Sequence, residues 1–436
     1  MQTLKLRRIS RYRWPLVITA TLVMTAVFSL SPLMEVTRLN APATAILRTP
    51  LAYDVFAPVS NVLDALTLLS PAQYWATFAL CAVIFLGVWT HRCAWSRAGF
   101  NAARFLRAAL GFMGGVVAVL GIMLVVTRPM ALLALGDRDL IAVDFHSHTE
   151  ASHDGRPGFN PERNREWHSS SGFDVAYVTD HMTFDGALTG AARNPARSGD
   201  ATVLLPGVEL RDGDEHPILI GVDPRRMRIT SPDWQGAAVE ADGGPVPAML
   251  LLSMPGNILR IPLSETDGPV RLAGIEAADG SPRGMGQAGR DRDAILALAA
   301  NLHLAVVSAS DNHGWGRTAP AWSVMRIPGW RDMTPSELDI AIRRTIMTRG
   351  SRAIEVIARR TAGQPQNMVA AAAGGIAVAL VMLRTMSLPD RFSWVAWSWG
   401  LCLLSLRNAR RNSNRRRARA RERAQRELMP VIEAAA

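Results

Sequence analysis

The sequence predicts an α/β domain held between transmembrane helices. Two observations predict this architecture. Four short apolar runs with the composition of buried strands lie between residues 140 and 309, and acidic or histidine residues follow each of them. Uncharged runs of about seventeen to twenty residues, long enough to cross a bilayer, precede this part of the chain. A parallel-sheet domain flanked by membrane segments is therefore expected.

The N-terminal part of the chain, residues 1–136, is predicted to be a membrane region. Its three apolar runs predict transmembrane helices at about 14–33, 74–90 and 108–127. The first run is too long for a cleavable signal, and no small-residue cleavage site follows it. The segment 41–70 alternates apolar and polar residues between prolines and is expected to lie along the membrane surface.

The C-terminal part is predicted to be a membrane anchor over 362–406, followed by an arginine-rich tail over 407–436. The anchor contains two apolar runs, 368–383 and 392–406, and the second has only about fifteen residues. It is either a span or an interfacial helix, and we favour a single crossing by the pair. The tail carries ten arginines between residues 407 and 426, so anionic lipid is its expected ligand, with RNA or DNA as a lesser alternative.

Charge is unevenly distributed along the chain. Residues 137–366 hold 24 arginines and 30 acidic residues, whereas the rest of the chain holds 24 basic and 7 acidic residues. The domain at 137–361 is thus mildly acidic, which argues against a nucleic-acid partner. Basic residues before the first predicted helix and between the second and third place both segments in the cytoplasm. Three spans then place the domain in the periplasm of a multi-pass bacterial inner (cytoplasmic) membrane protein.

The predicted strands carry side chains that suit metal ions. The apolar runs lie at 140–143, 174–179, 203–208 and 304–309, and eight of the nine histidines lie between Asp144 and His313. His146 and His148 follow the first run, and residues i and i+2 of a strand share a face, so both imidazoles can reach one metal. The C-terminal ends of such strands form the catalytic face of α/β barrels. Imidazole and carboxylate ligands together suit Zn²⁺, Mn²⁺ or Fe²⁺.

In their order, these motifs resemble those of the polymerase-and-histidinol-phosphatase (PHP) metallohydrolases. The matching segments are H-x-H-T at 146–149, an S-D-G with one extra residue at 152–155, T-D-H at 179–181, G-x-E at 207–209, the lone His216 and D-x-H at 311–313. The resemblance covers roughly residues 138 to 330, about half the chain. It implies a distorted (β/α)₇ barrel that holds two or three divalent ions, Zn, Mn or Fe, near its mouth.

The resemblance also implies three sets of ligands. One ion would be held by His146, His148, Glu209 and Asp311. Glu209 would bridge to a second ion, which His216 also holds. The third set would be His181, His313 and either Asp154 or His153, since the extra residue leaves both open, and we favour Asp154. Asp144 and Asp180 are expected to orient imidazoles rather than to bind metal.

One departure from the family pattern concerns the second ion. Family members carry a His-Pro after a strand, where this chain has Met254 and Pro255. A thioether is a poor ligand for hard or borderline ions, so this position is expected to bind metal weakly. The polar insertion at 224–246 is expected to lie at the barrel mouth. The G-x-G-x-x-G at 284–289 is expected to form a surface loop and is assigned no cofactor.

The activity that the resemblance implies is hydrolysis of a phosphate ester by a metal-activated hydroxide, on a phosphorylated small molecule or a diester. Asp311 and Arg317 are the candidate catalytic residues, since Arg317 could clamp a phosphate oxygen, with Arg211 as a second candidate clamp. One alternative is hydrolysis of a carboxylic or carbamate ester at the same site. Another is a non-catalytic sensor domain that binds metal or a ligand, which Met254 favours.

Overall fold

The computed structural model describes residues 12–95, 100–211, 215–224, 246–254, 270–364 and 368–433. The chain forms two compact units. The smaller comprises Met1–Ser29, Asp54–Pro58 and Met386–Ala436, and the larger comprises Leu30–Tyr53 and Val59–Thr385. Every candidate site residue lies in the larger unit.

The larger unit is built on a mixed sheet that curls into a half-barrel. In chain order the strands are β1 (Leu33–Glu35), β2 (Ala45–Arg48), β3 (Leu132–Leu135), β4 (Leu140–Ser147), β5 (Val175–Val178), β6 (Val203–Glu209), β7 (Ile218–Ile220), β8 (Ala248–Leu252), β9 (Val270–Ala278), β10 (Ala305–Ser308), β11 (Ala321–Arg326) and β12 (Ile354–Arg359). Among them, β2 and β3 form a separate pair. The other ten form one sheet in the order β1-β12-β11-β4-β5-β6-β7-β8-β9-β10.

Eleven α-helices are formed over the described residues. They are α1 (Arg13–Val27), α2 (Leu51–Val55), α3 (Ala57–Thr67), α4 (Pro71–Trp95), α5 (Ala102–Val125), α6 (Pro161–Ser171), α7 (Asp185–Ala191), α8 (Pro282–Asn301), α9 (Pro335–Arg349), α10 (Met368–Thr385) and α11 (Leu388–Glu433). Local sequence explains several of the starts. Asn160 and Ser281 cap α6 and α8, each directly before a proline, and Thr334 forms a capping box with Glu337 at α9.

The four strands predicted from apolar runs are confirmed as β4, β5, β6 and β10. β4, β5 and β6 pair in parallel, and β10 pairs in parallel with β9. The expectation of a seven-stranded barrel is corrected. The sheet has ten strands over the described residues, and β1, β7, β11 and β12 pair antiparallel to their neighbours. Part of this difference arises from pairing between strands that are distant in the sequence. β1 joins the sheet by pairing with β12, at the other end of the domain's sequence.

Curling of the sheet brings the segments after β4 and β10 side by side. The backbone N–H of Ser308 in β10 donates to the hydroxyl of Ser323 in β11 at 2.8 Å. Just beyond β10, the N–H of Asp311 donates to the carbonyl of His146 at 2.9 Å, and the N–H of His148 donates to the carbonyl of Asn312 at 3.2 Å. Two motifs more than 160 residues apart in the sequence therefore lie at one edge.

Over the residues that the structure describes, two helices are long and apolar enough to cross a membrane: Pro71–Ala94 within α4, and Ala102–Val125, which is α5. They coincide with the second and third predicted spans. A third span arises only if α10 and the first part of α11 are counted together. The predicted first span is shorter than expected, because α1 has 15 residues and Leu33 begins β1. Fifteen residues of helix extend about 22 Å, less than the roughly 30 Å of a hydrocarbon core.

Other expectations about the flanking segments are also revised. The segment 41–70 contains β2, which pairs with β3, and α3, whose buried Asp64 lies 2.8 Å from Arg128. The residues of the G-x-G-x-x-G lie in the first turns of α8 rather than in a loop, since Pro282 and the Ser281 cap begin a helix there. The tail arginines from 407 continue α11 as exposed helix up to residue 420. The basic residues before residue 12, and most of the insertion at 224–246, lie outside the described residues.

Candidate metal centre

His146 and His148 reach the site from the end of β4. They lie two residues apart, so both side chains face the same side of the strand, and both are fully buried. Phe145, directly before His146, faces the opposite side and stacks on Tyr177 of β5 with ring centroids 5.5 Å apart. The alternation of β4 therefore divides the strand into a core face and a ligand face.

Glu209, the last residue of β6, is the centre of the cluster. Its Oε2 atom lies 3.1 Å from His146 Nε2, 3.2 Å from His148 Nε2 and 3.1 Å from His181 Nδ1. Its Oε1 atom lies 2.9 Å from His216 Nδ1. One carboxylate thus faces four imidazoles, the arrangement expected of a bridging ligand.

Asp311 and Asp154 complete the cluster. Asp311 Oδ1 lies 3.3 Å from His148 Nε2 and 3.5 Å from His313 Nδ1. Asp154 Oδ1 lies 3.2 Å from His313 Nε2, and Asp154 Oδ2 lies 3.5 Å from His181 Nε2. The side chain of His153 is 76% exposed and approaches Asp154 only to 3.9 Å. Asp154, rather than His153, therefore lies between the two imidazoles.

The backbone of Asp311 adopts a conformation that few side chains tolerate. Its φ angle is 45°, in the left-handed region, which aspartate enters more readily than most residues. The backbone N–H of Asp311 donates to the carbonyl of His146, and the Asp311 carboxylate lies 3.3 Å from His148 Nε2. These two contacts hold the residue in this conformation. Strained residues of this kind concentrate at functional sites, where the surrounding structure holds them in place.

Among the described residues, four groups of side chains have ligand atoms close enough to share an ion. Within each group these atoms lie within 4.8 Å of one another: His146, His148 and Glu209; His148, His181 and His313; His181, Glu209 and His216; and His153, Asp154 and His181. Ligand bonds of about 2.0–2.2 Å to a common ion separate two donors by no more than about 4.4 Å, so such groups need little adjustment. These groups contain eight of the nine sequence-predicted ligands, and the ninth, Asp311, lies beside them with its Oδ1 atom 3.3 Å from His148 Nε2.

The hydrogen bonds of His146 show that the cluster fits cations. Its Nδ1 lies 3.0 Å from Glu276 Oε1, and because a carboxylate accepts, Nδ1 carries the proton. In neutral imidazole, Nε2 then presents a lone pair to Glu209 and to His148 Nε2, which is 2.9 Å away. Facing lone pairs are favourable only with a positive charge between them. Imidazole and carboxylate donors around that charge suit a divalent ion.

The pKa values of His146, His148 and Asp154 also indicate that the cluster favours positive charge. Burial alone would lower the pKa of His146, but the carboxylates of Glu209, Glu276 and Asp311 hold it well above the usual range. Burial likewise opposes protonation of His148, yet hydrogen bonds to Asp311 and Glu209 raise its pKa to about 9. The pKa of Asp154 is lowered, against the effect of burial, by hydrogen bonds from His181 and His313.

Glu276 is the site residue that the sequence did not predict. It lies in β9, is fully buried, and its Oε2 accepts a hydrogen bond from the backbone N–H of Met254 at 2.8 Å. Burial raises its pKa. In the sequence, Glu276 is distinguished only as an acid between two apolar strand residues, Ile275 and Ala277. No motif accompanies it, so its contact with His146 can be inferred only when β4 and β9 are known to be close.

Met254 occupies the position where a histidine was expected, and its side chain belongs to the hydrophobic core. It is 1% exposed and packs in the cluster that also contains Ile218 and Leu251. Its backbone N–H, rather than its thioether, serves the site, through Glu276. In the part of the chain that the structure describes, the ligand group at this side of the cluster is His181, Glu209 and His216.

Asp144 and Asp180 hold the backbone around the ligands. Asp144 accepts from His168 Nε2 at 2.8 Å and from the N–H of Ser310 at 3.0 Å, so it joins β4 to the segment that bears Asp311. His168 is a fully bonded core residue, since its Nδ1 lies 2.8 Å from the carbonyl of Asn164. Asp180 accepts from the N–H of Thr149 at 2.6 Å, immediately after His148. Asp144 and Asp180 therefore position the backbone segments that carry the candidate ligands rather than the imidazole rings themselves.

The two predicted phosphate clamps lie outside the ligand groups. Arg317 lines a cavity next to the cluster together with Arg128, Arg156 and Arg163. Arg211 is exposed and directly precedes the undescribed residues 212–214. A catalytic role for Arg317 therefore stays a prediction.

No protein-family model matches the sequence, and no curated protein matches it either. Among solved structures, the chain is similar to PsfC from Pseudomonas syringae PB-5123, with 18% sequence identity and a TM-score of 0.32, covering 46% of this chain and 87% of that chain. It is also similar to a two-domain protein from Bacteroides vulgatus, described as containing a predicted PHP-like metal-dependent phosphoesterase, with 16% identity and a TM-score of 0.33, covering 50% and 64%.

A third similar structure is the lesion-specific endonuclease PfuEndoQ from Pyrococcus furiosus. It has 16% identity and a TM-score of 0.33, and the match covers 49% of this chain and 57% of that chain. These TM-scores are low, so the chemistry of the site is inferred from its own side chains.

Proposed function

We propose that this chain is a membrane-anchored, metal-dependent phosphoesterase. The observation that carries the proposal is the position of Glu209, whose two carboxylate oxygens face His146 and His181 on one side and His216 on the other. A bridging carboxylate among imidazoles is typical of sites with more than one ion. Such sites clamp both the attacking and the leaving oxygen of a phosphoryl group.

Each group of side chains has a defined task in this proposal. Divalent ions at these ligands would lower the pKa of water and polarise a phosphoryl oxygen. His146 and His148 bind from the buried floor, with Glu276 fixing the orientation of His146. Asp311, His313 and Asp154 line a cavity of about 380 Å³, which offers room for a phosphate group beside the ligands.

Hydrolysis of nitrophenyl phosphate mono- and diesters tests the activity. The full chain in detergent, supplied with Mn²⁺, is expected to release nitrophenol, and the Asp311→Ala variant or a chelator is expected to abolish the release. Asp293→Ala is the matched control, since this acid is exposed on α8 and belongs to none of the ligand groups of the described residues. Release from nitrophenyl acetate alone would support the carboxylic-ester alternative.

The sensor alternative is separated from an enzyme by metal content and turnover measured together. If the site only binds, the metal-loaded full chain should turn over none of these esters. A phosphoesterase is expected to release nitrophenol when the metal is bound. Met254 does not enter this test, because its side chain packs in the hydrophobic core.

Membrane anchoring is part of the proposal, and α4 and α5 support it. The arginines at 92, 104 and 107 flank the segment that joins these helices, which favours a cytoplasmic location of this segment and a catalytic domain in the periplasm. In a cysteine-free background, a membrane-impermeant maleimide should label Asp293→Cys in intact cells but not Phe100→Cys. The reverse labelling would contradict this topology. The arginines of α11 are proposed to contact anionic lipid.

A further inference from the structure

One cavity is lined by described residues of the ligand cluster, and a larger cavity shares Trp167 with it. The smaller, of about 380 Å³, is lined by the ligand residues Asp154, Asp311 and His313 and also by Tyr74 of α4 and Leu124 of α5. Both helices are long and apolar enough to cross a membrane. The candidate site therefore opens against the ends of apolar helices, an unusual wall for a site that binds a small soluble ester.

The larger cavity, of about 610 Å³, is strongly cationic. Its wall contains one acidic residue, Glu166, and four arginines: Arg128, Arg156, Arg163 and Arg317. Trp167 lines both cavities, so the two adjoin. Burial and the charges of the other three arginines lower the pKa of Arg317. Like charges gathered in a cavity are unfavourable unless an anion neutralises them.

Several donors in this arginine cavity have no partner. The Nε atom of Arg317, and the Nε and Nη1 atoms of Arg128, are buried without a hydrogen bond to any described residue. The Arg128 side chain is only 7% exposed, and Asp64 holds its Nη2 atom at 2.8 Å. Buried donors without partners indicate a ligand rich in acceptor oxygens, and the planar guanidinium matches phosphate in particular.

Arg156 connects the arginine cavity to both the apolar helix and the ligand cluster. Its Nη1 atom donates to the carbonyl of Leu124, in the last turn of α5, at 3.3 Å. Its backbone N–H donates to the carbonyl of His313 at 2.9 Å. Positive charge thus begins where the apolar helix ends and continues to the candidate metal ligands. A lipid has the same sequence of properties, with an apolar chain followed by a charged headgroup at the membrane surface.

We propose that the substrate is a membrane lipid whose headgroup carries phosphate. The arginine cavity holds the headgroup charge, and the acyl chains lie against the ends of α4 and α5. This inference rests on the proposed phosphoesterase function and narrows its substrate class. In the reaction, a phosphorus–oxygen ester bond breaks, and water supplies a hydroxyl to phosphorus and a proton to the departing alcohol oxygen.

Calorimetric titration of the chelator-treated full chain in a neutral detergent tests the binding step without hydrolysis. The probes are dihexanoyl phosphatidic acid, a short-chain lipid phosphate, and inorganic phosphate. The lipid phosphate is expected to bind at least about tenfold more tightly, a difference of about 1.4 kcal/mol. Arg163→Gln is expected to weaken lipid binding about tenfold, since the exposed Arg163 contributes charge to the cavity. Leu124→Gln should weaken binding of the lipid but not of inorganic phosphate.

Arg193→Gln is the matched control, because Arg193 is exposed and lies outside the cavity wall, and it should leave both affinities unchanged. Equal affinity for the two probes, or no response to Arg163→Gln, would overturn the inference in favour of a soluble substrate. Failure of the proposed function gives a different result. Hydrolysis of nitrophenyl phosphate without lipid binding overturns only the lipid inference, whereas lipid binding without any hydrolysis overturns the enzyme and leaves the lipid site.

Discussion

The Nδ1 atom of His146 lies 3.0 Å from the Oε1 atom of Glu276, and both side chains are fully buried. This contact joins β4 to β9 and sets which imidazole nitrogen faces the other ligands. Carboxylates that bind a ligand histidine in this way fix its tautomer and raise its basicity. Glu276 thereby acts on any bound ion through His146.

Glu276→Gln is expected to lower the metal affinity of the full chain about 10- to 100-fold. The change keeps the volume of the side chain but removes the charge that favours a proton on His146 Nδ1 and a free lone pair on Nε2. Competition with a chromophoric chelator measures the affinity. Asp293→Asn, at an exposed position on α8, should leave it unchanged. An unchanged affinity in Glu276→Gln would show that Glu276 does not position His146.

Asp144→Ala is expected to reduce the free energy of unfolding by about 1–3 kcal/mol, because the buried His168 loses the carboxylate that its Nε2 atom contacts at 2.8 Å. It also releases the N–H of Ser310, which Asp144 holds at 3.0 Å. Thermal unfolding in detergent measures the loss. Adding His168→Phe removes the imidazole whose Nε2 atom lost its partner, so the double variant should recover part of the stability. A double variant no more stable than Asp144→Ala would contradict this explanation.

Asp174 is expected to make stability depend on pH. Burial raises its pKa to about 6, although the N–H of Ala142 and the charge of Arg331 partly oppose the shift. Between the unfolded pKa of 3.8 and the folded value, the native state binds more protons than the unfolded state. Stability therefore falls as pH rises through this window, by roughly 3 kcal/mol in all, and stays reduced above it.

Asp174→Asn should remove that decline while keeping an acceptor for the N–H of Ala142. Unfolding midpoints of the wild type and the variant, measured from pH 4 to pH 7, check the prediction. The two proteins should differ most above pH 6, where the variant is more stable. Parallel profiles would mean that other groups cause the pH dependence.

Gly375 allows α10 to pack closely on α4. A Cβ atom there would lie 2.9 Å from the carbonyl oxygen of Ala76 and 2.9 Å from the Cβ of Leu80. Gly375→Val is expected to destabilise the packed helices by about 1–3 kcal/mol. Gly87→Val in α4 is the control, since nothing lies within 4 Å of the Cβ it would add. Equal melting temperatures for the two variants in detergent would argue against close α4–α10 packing.

Local sequence predicted the parts of the fold that depend on local physics. Continuous apolar runs predicted β4, β5, β6 and β10, because strands buried on both faces need apolar side chains throughout. The polar residues directly after them predicted which side chains would meet, since parallel strands end together. Hence the side chains that gather in the cluster could be named from the sequence, whereas the choice between Asp154 and His153 stayed open until their different exposure was known.

The features of the fold and the site that the sequence did not predict depend on contacts between segments that are distant in the sequence. β1 and β12 pair across more than 300 residues, and no local pattern reveals such a pair. Leu33 looked like the end of a transmembrane run because composition does not distinguish an apolar strand from the end of an apolar helix. Glu276 escaped notice for a similar reason, because its role is defined by His146, 130 residues away in the sequence.

We propose that Glu209 organises a site for more than one ion and that this site hydrolyses phosphate esters. The most direct test measures metal content and nitrophenyl phosphate hydrolysis on the same preparation of full-length wild type and Glu209→Gln, with Asp293→Asn as the control. We expect more than one divalent ion per wild-type chain and chelator-sensitive turnover, and the loss of both in Glu209→Gln. Turnover that survives chelation, or a Glu209→Gln variant with full metal content and full rate, would contradict the claim.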